Sequence, residues 1–365
     1  MKFTVKREHL LPLLTRVNSI VENKSTQKIR THVLLSADGD NLSLVGFDND
    51  IKISGTVAVQ VEQPGATTVM SLKLFEIIRS LPAAAEIEIQ LQDNTLHVIC
   101  GQSRFHLATI EAEEFPLPDA YTFEKQLSLP AHEVVNLLNL VKFSMASNDV
   151  RHYLNGLLLH FHQADLTAVS TDGHRLSVAD IPNTFGINEE KVIIPRKAVA
   201  EVISWLSTLE KNVEINLSQT HIQFTAGSTE MTSTLINAEY PAYETVIPEP
   251  AEQLIIIPKE PLKQALSRAK ILSSEYGVGV SLTFSPWKLN LTAKNMENES
   301  VEDSIDINYD GESIKTAFNI NYLQDILNVI DNDNITFSLR DSQSSCLIYD
   351  ANKENARYIV MPMNI

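Results

Sequence analysis

The stretch Thr171-Asp172-Gly173-His174-Arg175 holds the residue types that acid–base chemistry needs, a carboxylate two positions from an imidazole. The same pair would be two ligands of a metal ion. A metal site takes three or four such ligands, and no second His or carboxylate stands at ligand spacing from Asp172 and His174. The other reading is a turn joining two strands, with His174 at the surface. The chain contains no Gly-rich phosphate loop, no Gly-x-Gly-x-x-Gly and no nucleophile elbow. The acidic run from Glu297 to Asp303 lacks the alternating Asp order of a calcium loop and reads as a solvated or interface-forming edge. Cys100 and Cys346 are the only cysteines and are not spaced as metal ligands, so two reduced thiols are expected. No metal and no cofactor is called for by these residues. On sequence chemistry alone, Met361-Pro362-Met363 reads as the padding of a last strand.

The elements that must position these groups repeat three times. Phe3-Thr4-Val5 returns as Leu127-Ser128-Leu129 and as Ile255-Ile256-Ile257, and Leu42-Ser43-Leu44-Val45 matches runs beginning at Leu166 and Leu289. Strand-to-helix junctions pass through Val69, Ile194 and Phe318; Ile89-Gln90-Leu91 returns as Ile215-Asn216-Leu217 and Phe337-Ser338-Leu339. The interval is about 125 residues, far beyond the roughly 20–50 of a solenoid unit, so each repeat has the size of a domain. The division predicted is 1–124, 125–250 and 251–365. Pro116 and Pro118, then Pro248 and Pro250, fall where repeats meet and read as connectors.

Helices are predicted over 7–17, 71–80, 131–142, 196–206, 259–271 and 320–330. Val134, Leu137, Leu138 and Val141 share one face at helical spacing, as do Val199, Val202, Ile203 and Leu206 after Pro195. Alternating runs such as Leu96-His97-Val98-Ile99 read as half-buried strands. Each repeat therefore carries two helices and about eight strands, an α+β domain with helices on one side of its sheet. The six helices hold eleven Lys or Arg against six acids, a net +5, which leaves −22 on the rest of a chain whose formal charge is −17. One reading is chance; the other is a mildly positive helical surface, backed by acidic strands and loops, that attracts phosphates without regard to sequence. The charged N-terminus has no apolar signal segment, and no run approaches the roughly 18 apolar residues of a membrane span. A cytoplasmic protein with no membrane contact is expected.

Several longer segments then resemble one family. Residues 143–156, from Phe143 through Asn148, His152 and Tyr153 to Gly156, are similar to the central signature of the bacterial sliding clamp, the β subunit of DNA polymerase III. So are Thr171-Asp172-Gly173-His174-Arg175-Leu176, Pro64-Gly65-Ala66-Thr67-Thr68, the C-terminal Tyr358-Ile359-Val360-Met361-Pro362-Met363, and the opening Met1-Lys2-Phe3-Thr4-Val5 with Arg7-Glu8-His9-Leu10-Leu11. The resemblance runs through the whole chain in one register.

What the resemblance implies is a head-to-tail homodimer in which six domains form a ring, helices lining the hole and sheets outside. The function implied is that of a non-catalytic processivity factor, which encircles duplex DNA and tethers the polymerase. Lys24, Asn148, His152 and Tyr153 correspond to residues that touch DNA. A peptide-binding cleft would be formed by Leu154, Thr171, Gly173, His174, Arg175, Leu176, Pro241, Val246, Ser345, Ile359, Met361, Pro362 and Met363. Its partners would be short linear motifs of the polymerase III alpha subunit, the clamp loader, other polymerases and repair proteins. Lys73, Arg104, Phe105 and Leu107 would lie on one subunit edge, and Ile271, Leu272, Glu297 and Glu302 on the opposing one. The sequence departs from the family at Leu72 and Thr245, where basic residues are common, and over 27–32. Those departures motivate a second reading, a diverged paralogue that acts as a scaffold without being loaded. An enzyme built on the Asp172–His174 turn is a third.

Overall fold

The computed structural model describes residues 1–118, 120–182, 186–187, 189–272 and 279–363. The six predicted helices occur at Arg7–Ile20, Ser71–Ser80, Ala131–Val141, Arg196–Leu206, Lys259–Ile271 and Ile320–Val329. Their apolar faces are those the spacing predicts. Val134, Leu137, Leu138 and Val141 are buried, as are Val199, Val202, Ile203 and Leu206. Helix Arg7–Ile20 buries Leu10, Leu13, Leu14, Val17 and Ile20, worth about 1.5–3 kcal/mol per side chain removed from water.

The described residues divide into two compact units, which do not coincide with the three repeats. One comprises residues 1–135 and 197–235, the other 136–196 and 236–365. The first is built on a thirteen-stranded sheet. Its continuity depends on one junction between repeats: Thr229–Thr234 pairs antiparallel with Ile51–Ala58, placing Met231 opposite Ile53. Two glycines let helix Arg7–Ile20 lie against the sheet. A Cβ on Gly46 would stand 2.6 Å from Val17 Cγ1, and one on Gly55 would stand 2.7 Å from Leu13 Cδ1.

The second unit holds an eight-stranded and a four-stranded sheet. The eight-stranded sheet is likewise fused from two repeats, through Arg175–Pro182 and Lys353–Val360. Pairing at such junctions removes two edges that would otherwise present free backbone groups. In the four-stranded sheet, Ser300–Asp306 is an edge strand bonded only to Lys288–Lys294. In the first unit, Ser103–Ile110 pairs along its length with Thr95–Cys100. Its other side is bonded to Gly65–Met70 only near Thr109 and Ile110.

Candidate functional site

The Thr171–Arg175 segment is a turn whose polar groups hold it closed. Gly173 adopts φ +89°, a conformation that favours glycine. Its N–H donates to Thr171 Oγ1 at 3.0 Å, and Thr171 Oγ1 donates to the Arg175 carbonyl at 2.6 Å. Asp172 Oδ1 accepts from the backbone N–H groups of His174 and Arg175 at 2.9 and 3.0 Å. Its other oxygen receives Arg175 Nε at 3.2 Å. The carboxylate is thus engaged in folding the turn, while His174 is exposed. Among the described residues no three His, Cys, Asp or Glu converge as metal ligands.

Arg175 serves as a clamp beneath the turn. Besides Asp172, its guanidinium donates to Asp325 Oδ2 at 2.6 Å and to the Phe143 carbonyl at 2.7 Å. It lies 4.3 Å from the centre of the Tyr322 ring, close enough for cation–π attraction. Tyr322 and Asp325 belong to helix Ile320–Val329, so the turn of the second repeat is tied to a helix of the third.

The strand leaving this turn enters a buried apolar cluster. Leu176 sits opposite Ile359 across the antiparallel pair, and Cys346–Asp350 continues the sheet with Leu347 opposite Ile359. Leu176, Ile359, Leu347, Val169, Val178, Leu158 and Ile193 pack with Tyr240 and Tyr243 as one buried cluster; Tyr153, Ile236, Ile247 and Tyr349 close around it. Val246 precedes Ile247, which packs on that cluster, and Met361 follows the strand that carries Ile359; Val246, Met361 and Met363 are each about 40% exposed (41%, 42% and 38%). The chain end is held in place by Met361 N–H donating to the His174 carbonyl at 3.0 Å and Met363 N–H to the Ala317 carbonyl at 2.7 Å. Pro241 is exposed between Tyr240 and Tyr243, Ser345 and Pro362 are half-buried, and Leu154 is buried with its carbonyl accepting from Ala146 N–H at 2.9 Å. Sequence reasoning did not single out Tyr240, Tyr243, Leu347 or Ile247. Their signal was faint: Tyr240 and Tyr243 flank a proline in a connector, where aromatic residues carry no periodicity.

Asn148 is exposed at φ +58°, at the tip of a loop braced beneath it. Asn155 accepts from Asp149 N–H at 2.9 Å and donates to its carbonyl at 2.8 Å. Arg151 donates to both carboxylate oxygens of Asp149, at 3.0 and 2.9 Å, and these bonds hold that carboxyl down at about 2. His152 is exposed and Tyr153 half-buried, its ring 6.3 Å from that of Tyr240. The loop therefore adjoins the apolar cluster. Lys24 stands in the other unit, where it lines a cavity together with Lys73. Arg104 is exposed, Phe105 half-buried and Leu107 buried on the half-open strand Ser103–Ile110. Ile271 is 79% exposed, Leu272 is half-buried, and Glu297 and Glu302 are exposed at or near the edge strand Ser300–Asp306.

Three repeated α+β domains whose sheets fuse across the repeats, with an apolar cluster beside a braced loop, are the features of a clamp-type protein. Comparison with known proteins agrees throughout. Residues 1–119, 128–242 and 244–364 match the N-terminal, central and C-terminal domain models of the DNA polymerase III beta subunit. The chain is 38% identical over 366 residues to the beta sliding clamp of Escherichia coli K12 and 36% identical over 370 residues to that of Pseudomonas aeruginosa. All of each chain is covered in both cases. Crystal structures of the beta subunit from P. aeruginosa (TM-score 0.96, 36% identity) and of the sliding clamp from Caulobacter crescentus (0.95, 31%) superpose over their whole length. A further P. aeruginosa structure holds the clamp bound to griselimycin. The chain belongs to the DNA polymerase III beta subunit family, the bacterial beta sliding clamps.

Proposed function

We propose that two copies of this chain close head to tail into a ring around duplex DNA, and that the ring tethers replication and repair proteins through the depression over Leu176 and Ile359. The observation that carries the reading is the buried apolar cluster of Leu176, Ile359 and Leu347, with the exposed apolar residues Val246, Met361 and Met363 on the segments that lead into and out of it. A short motif that inserts aliphatic or aromatic side chains would cover the exposed rim, and unbranched methionine adapts to more than one such partner. The polar groups of the turn at Gly173 and His174 would orient the inserted peptide. Occupants of this chemistry include motifs of the polymerase III alpha subunit, the clamp loader, other polymerases and repair proteins.

The ring rests on two half-open edges of the right kind. One is Ser103–Ile110 with Arg104, Phe105 and Leu107; the other is Ser300–Asp306, with Glu302 on it and Glu297, Ile271 and Leu272 near it. A head-to-tail contact between them joins backbone groups on strand edges and sets basic against acidic side chains. Lys73 would add to the basic rim. The three domains would divide as 1–124, 125–250 and 251–365. Topology then holds the protein on DNA, so that contacts from Lys24, Asn148, His152 and Tyr153 stay weak, independent of sequence and sensitive to salt. The chain would act in the cytoplasm as a non-catalytic subunit, and no described helix is long and apolar enough to cross a membrane. The test is retention on nicked circular DNA after loading by the cognate loader. The protein should stay on the circle, leave when the circle is linearised, and lengthen the products of its polymerase. Equal retention on linear and circular DNA would overturn the reading.

A further inference from the structure

The two junctions between repeats are built alike. In the second, Met361 N–H donates to the His174 carbonyl at 3.0 Å, and in the first Thr234 N–H donates to the Asp50 carbonyl at 2.8 Å. Asp48 folds its turn as Asp172 does, with Oδ1 accepting from the N–H groups of Asp50 and Ile51 at 2.9 and 2.6 Å. Strand pairing keeps the same register. Lys52 lies opposite both Phe47 and Thr232, as Leu176 lies opposite both Thr171 and Ile359. Gln223 opposite Thr232 then answers to Leu347 opposite Ile359. Position for position, Phe47, Asn49, His221 and Thr234 correspond to Thr171, Gly173, Ser345 and Met361, four residues of the expected peptide cleft.

The chemistry of the two junctions differs. Lys52, Thr232 and Gln223 stand where the second has Leu176, Ile359 and Leu347, and Gln223 Nε2 donates to Thr232 Oγ1 at 3.2 Å and to Glu230 Oε2 at 3.0 Å. An aliphatic anchor laid over these groups would take their polar atoms out of water with nothing to bond in return. A cavity of about 620 Å³ nonetheless opens at this first junction, and Phe47, Asn49, His221 and Thr234 all line it. Tyr121, from the connector between the repeats, lines it too. Its ring is 4.5 Å from that of His221 and tilted 48° to it, and Lys52 Nζ lies 5.9 Å from its centre. Burial holds the His221 imidazole below its ordinary value, so that ring is uncharged at neutral pH. Among the described residues Glu124 is the one carboxylate of the lining, and its other polar side chains there are hydroxyls, amides and that imidazole.

We propose that this cavity is a second peptide site, and that it takes a short polar segment carrying one aromatic side chain. The aromatic ring would pack against Tyr121 and His221, since ring pairs gain from tilted or offset contact. The hydroxyl and amide groups of the lining can pair with the N–H and C=O groups of the peptide backbone, which an apolar lining could not do. The ligand thus differs in class from the aliphatic motif expected at the second junction. The inference rests on the clamp reading for the premise that a junction of this build receives a peptide, and not for the residues of the site.

Fluorescence anisotropy on the full chain tests it, with three pools of labelled hexapeptides. The first carries a fixed tyrosine among serine, threonine and asparagine, and the second has alanine in place of that tyrosine. The third carries leucine and phenylalanine, for the cleft at Leu176 and Ile359. The tyrosine pool should bind saturably and the alanine pool about tenfold more weakly. Tyr121→Leu should weaken binding of the tyrosine pool by about tenfold, whereas Tyr121→Phe, which keeps the ring, should stay within a few-fold. Met361→Ala should leave the tyrosine pool unchanged and weaken only the leucine pool. No saturable binding of the tyrosine pool, equal binding of the alanine pool, or a loss in Met361→Ala without one in Tyr121→Leu would overturn the proposal. Binding of the tyrosine pool with none of the leucine pool would keep this site and remove the peptide reading of the other cleft. The reverse pattern would keep that reading and remove this site.

Discussion

Arg175 and Asp325 are joined by a 2.6 Å ion pair across 150 residues of sequence, one at the end of a turn in the second repeat and the other on a helix of the third. The arginine side chain is only 11% exposed, and its remaining donors go to Asp172 and to the Phe143 carbonyl. A half-open partner weakens the pair by solvent screening, yet removing the arginine takes the guanidinium donor from Asp172 Oδ2 and from the Phe143 carbonyl.

Arg175→Ala should therefore destabilise the second unit by about 2 kcal/mol, more than a surface ion pair's share of under about 1 kcal/mol. Asp325→Asn should cost less, since Asp172, Phe143 and Tyr322 still hold the guanidinium. Denaturant unfolding followed at each unit separately checks this, because a chain with two compact units need not unfold in one step. Equal effects of the two substitutions would mean that Asp325 provides most of the clamp.

A pH dependence follows from His160. Burial pushes this imidazole down to about 4, with the charges of His162 and Lys191 adding to the effect and Glu244 opposing it. Its Nδ1 lies 3.0 Å from Tyr243 Oη, which also lies 3.3 Å from His162 Nε2. Between about 4 and 6.5 the unfolded chain binds the proton and the folded one does not, so stability falls as pH drops through that window and is fully present above it. The melting temperature should decline from pH 7 to pH 4.5, and His160→Phe should flatten that slope. A slope unchanged in the variant would assign the effect to other groups.

At the proposed subunit edge, Ile271→Ala combined with Leu272→Ala should shift the dimer toward monomer at micromolar concentration. Ile271 is an apolar residue 79% exposed among the described residues. Light scattering across a dilution series reads the change. A wild-type protein that is already monomeric at these concentrations would remove the closed ring.

The sequence made the helices legible because each spans three turns or so with its apolar residues at helical spacing, as in Arg196–Leu206. The strand order was not legible. Pairing Met231 with Ile53, or Leu176 with Ile359, joins residues some 180 positions apart, and alternation reports which face a residue occupies but not which strand lies beside it. That is why three repeats in sequence become two compact units in space. Of the cleft, the apolar C-terminal residues and the turn were visible through their resemblance to a family. Tyr240 and Tyr243 were not, because they reach the cluster from a connector. Nor was the placing of Lys24 and Lys73 on one cavity, which spacing along the chain does not report.

Met361 gives the most direct test of the cleft. Its backbone N–H is tied to the His174 carbonyl, so the residue keeps its place when its side chain is shortened. The residue is 42% exposed, so Met361→Ala should cost little stability. If a partner peptide lies over Leu176 and Ile359, that side chain becomes an anchor in the complex, and anchors of this kind carry about 1–2 kcal/mol each. Affinity for polymerase and loader peptides should therefore fall about tenfold, with the dimer unchanged. Val246→Ala, beside the Ile247 that packs on the same cluster, should weaken binding similarly, and the double variant should lose less than the sum if both side chains hold one peptide residue. Calorimetry with a client-derived peptide separates the possibilities. Full affinity in both single variants would mean that these side chains only cover the last strand and that partners bind elsewhere.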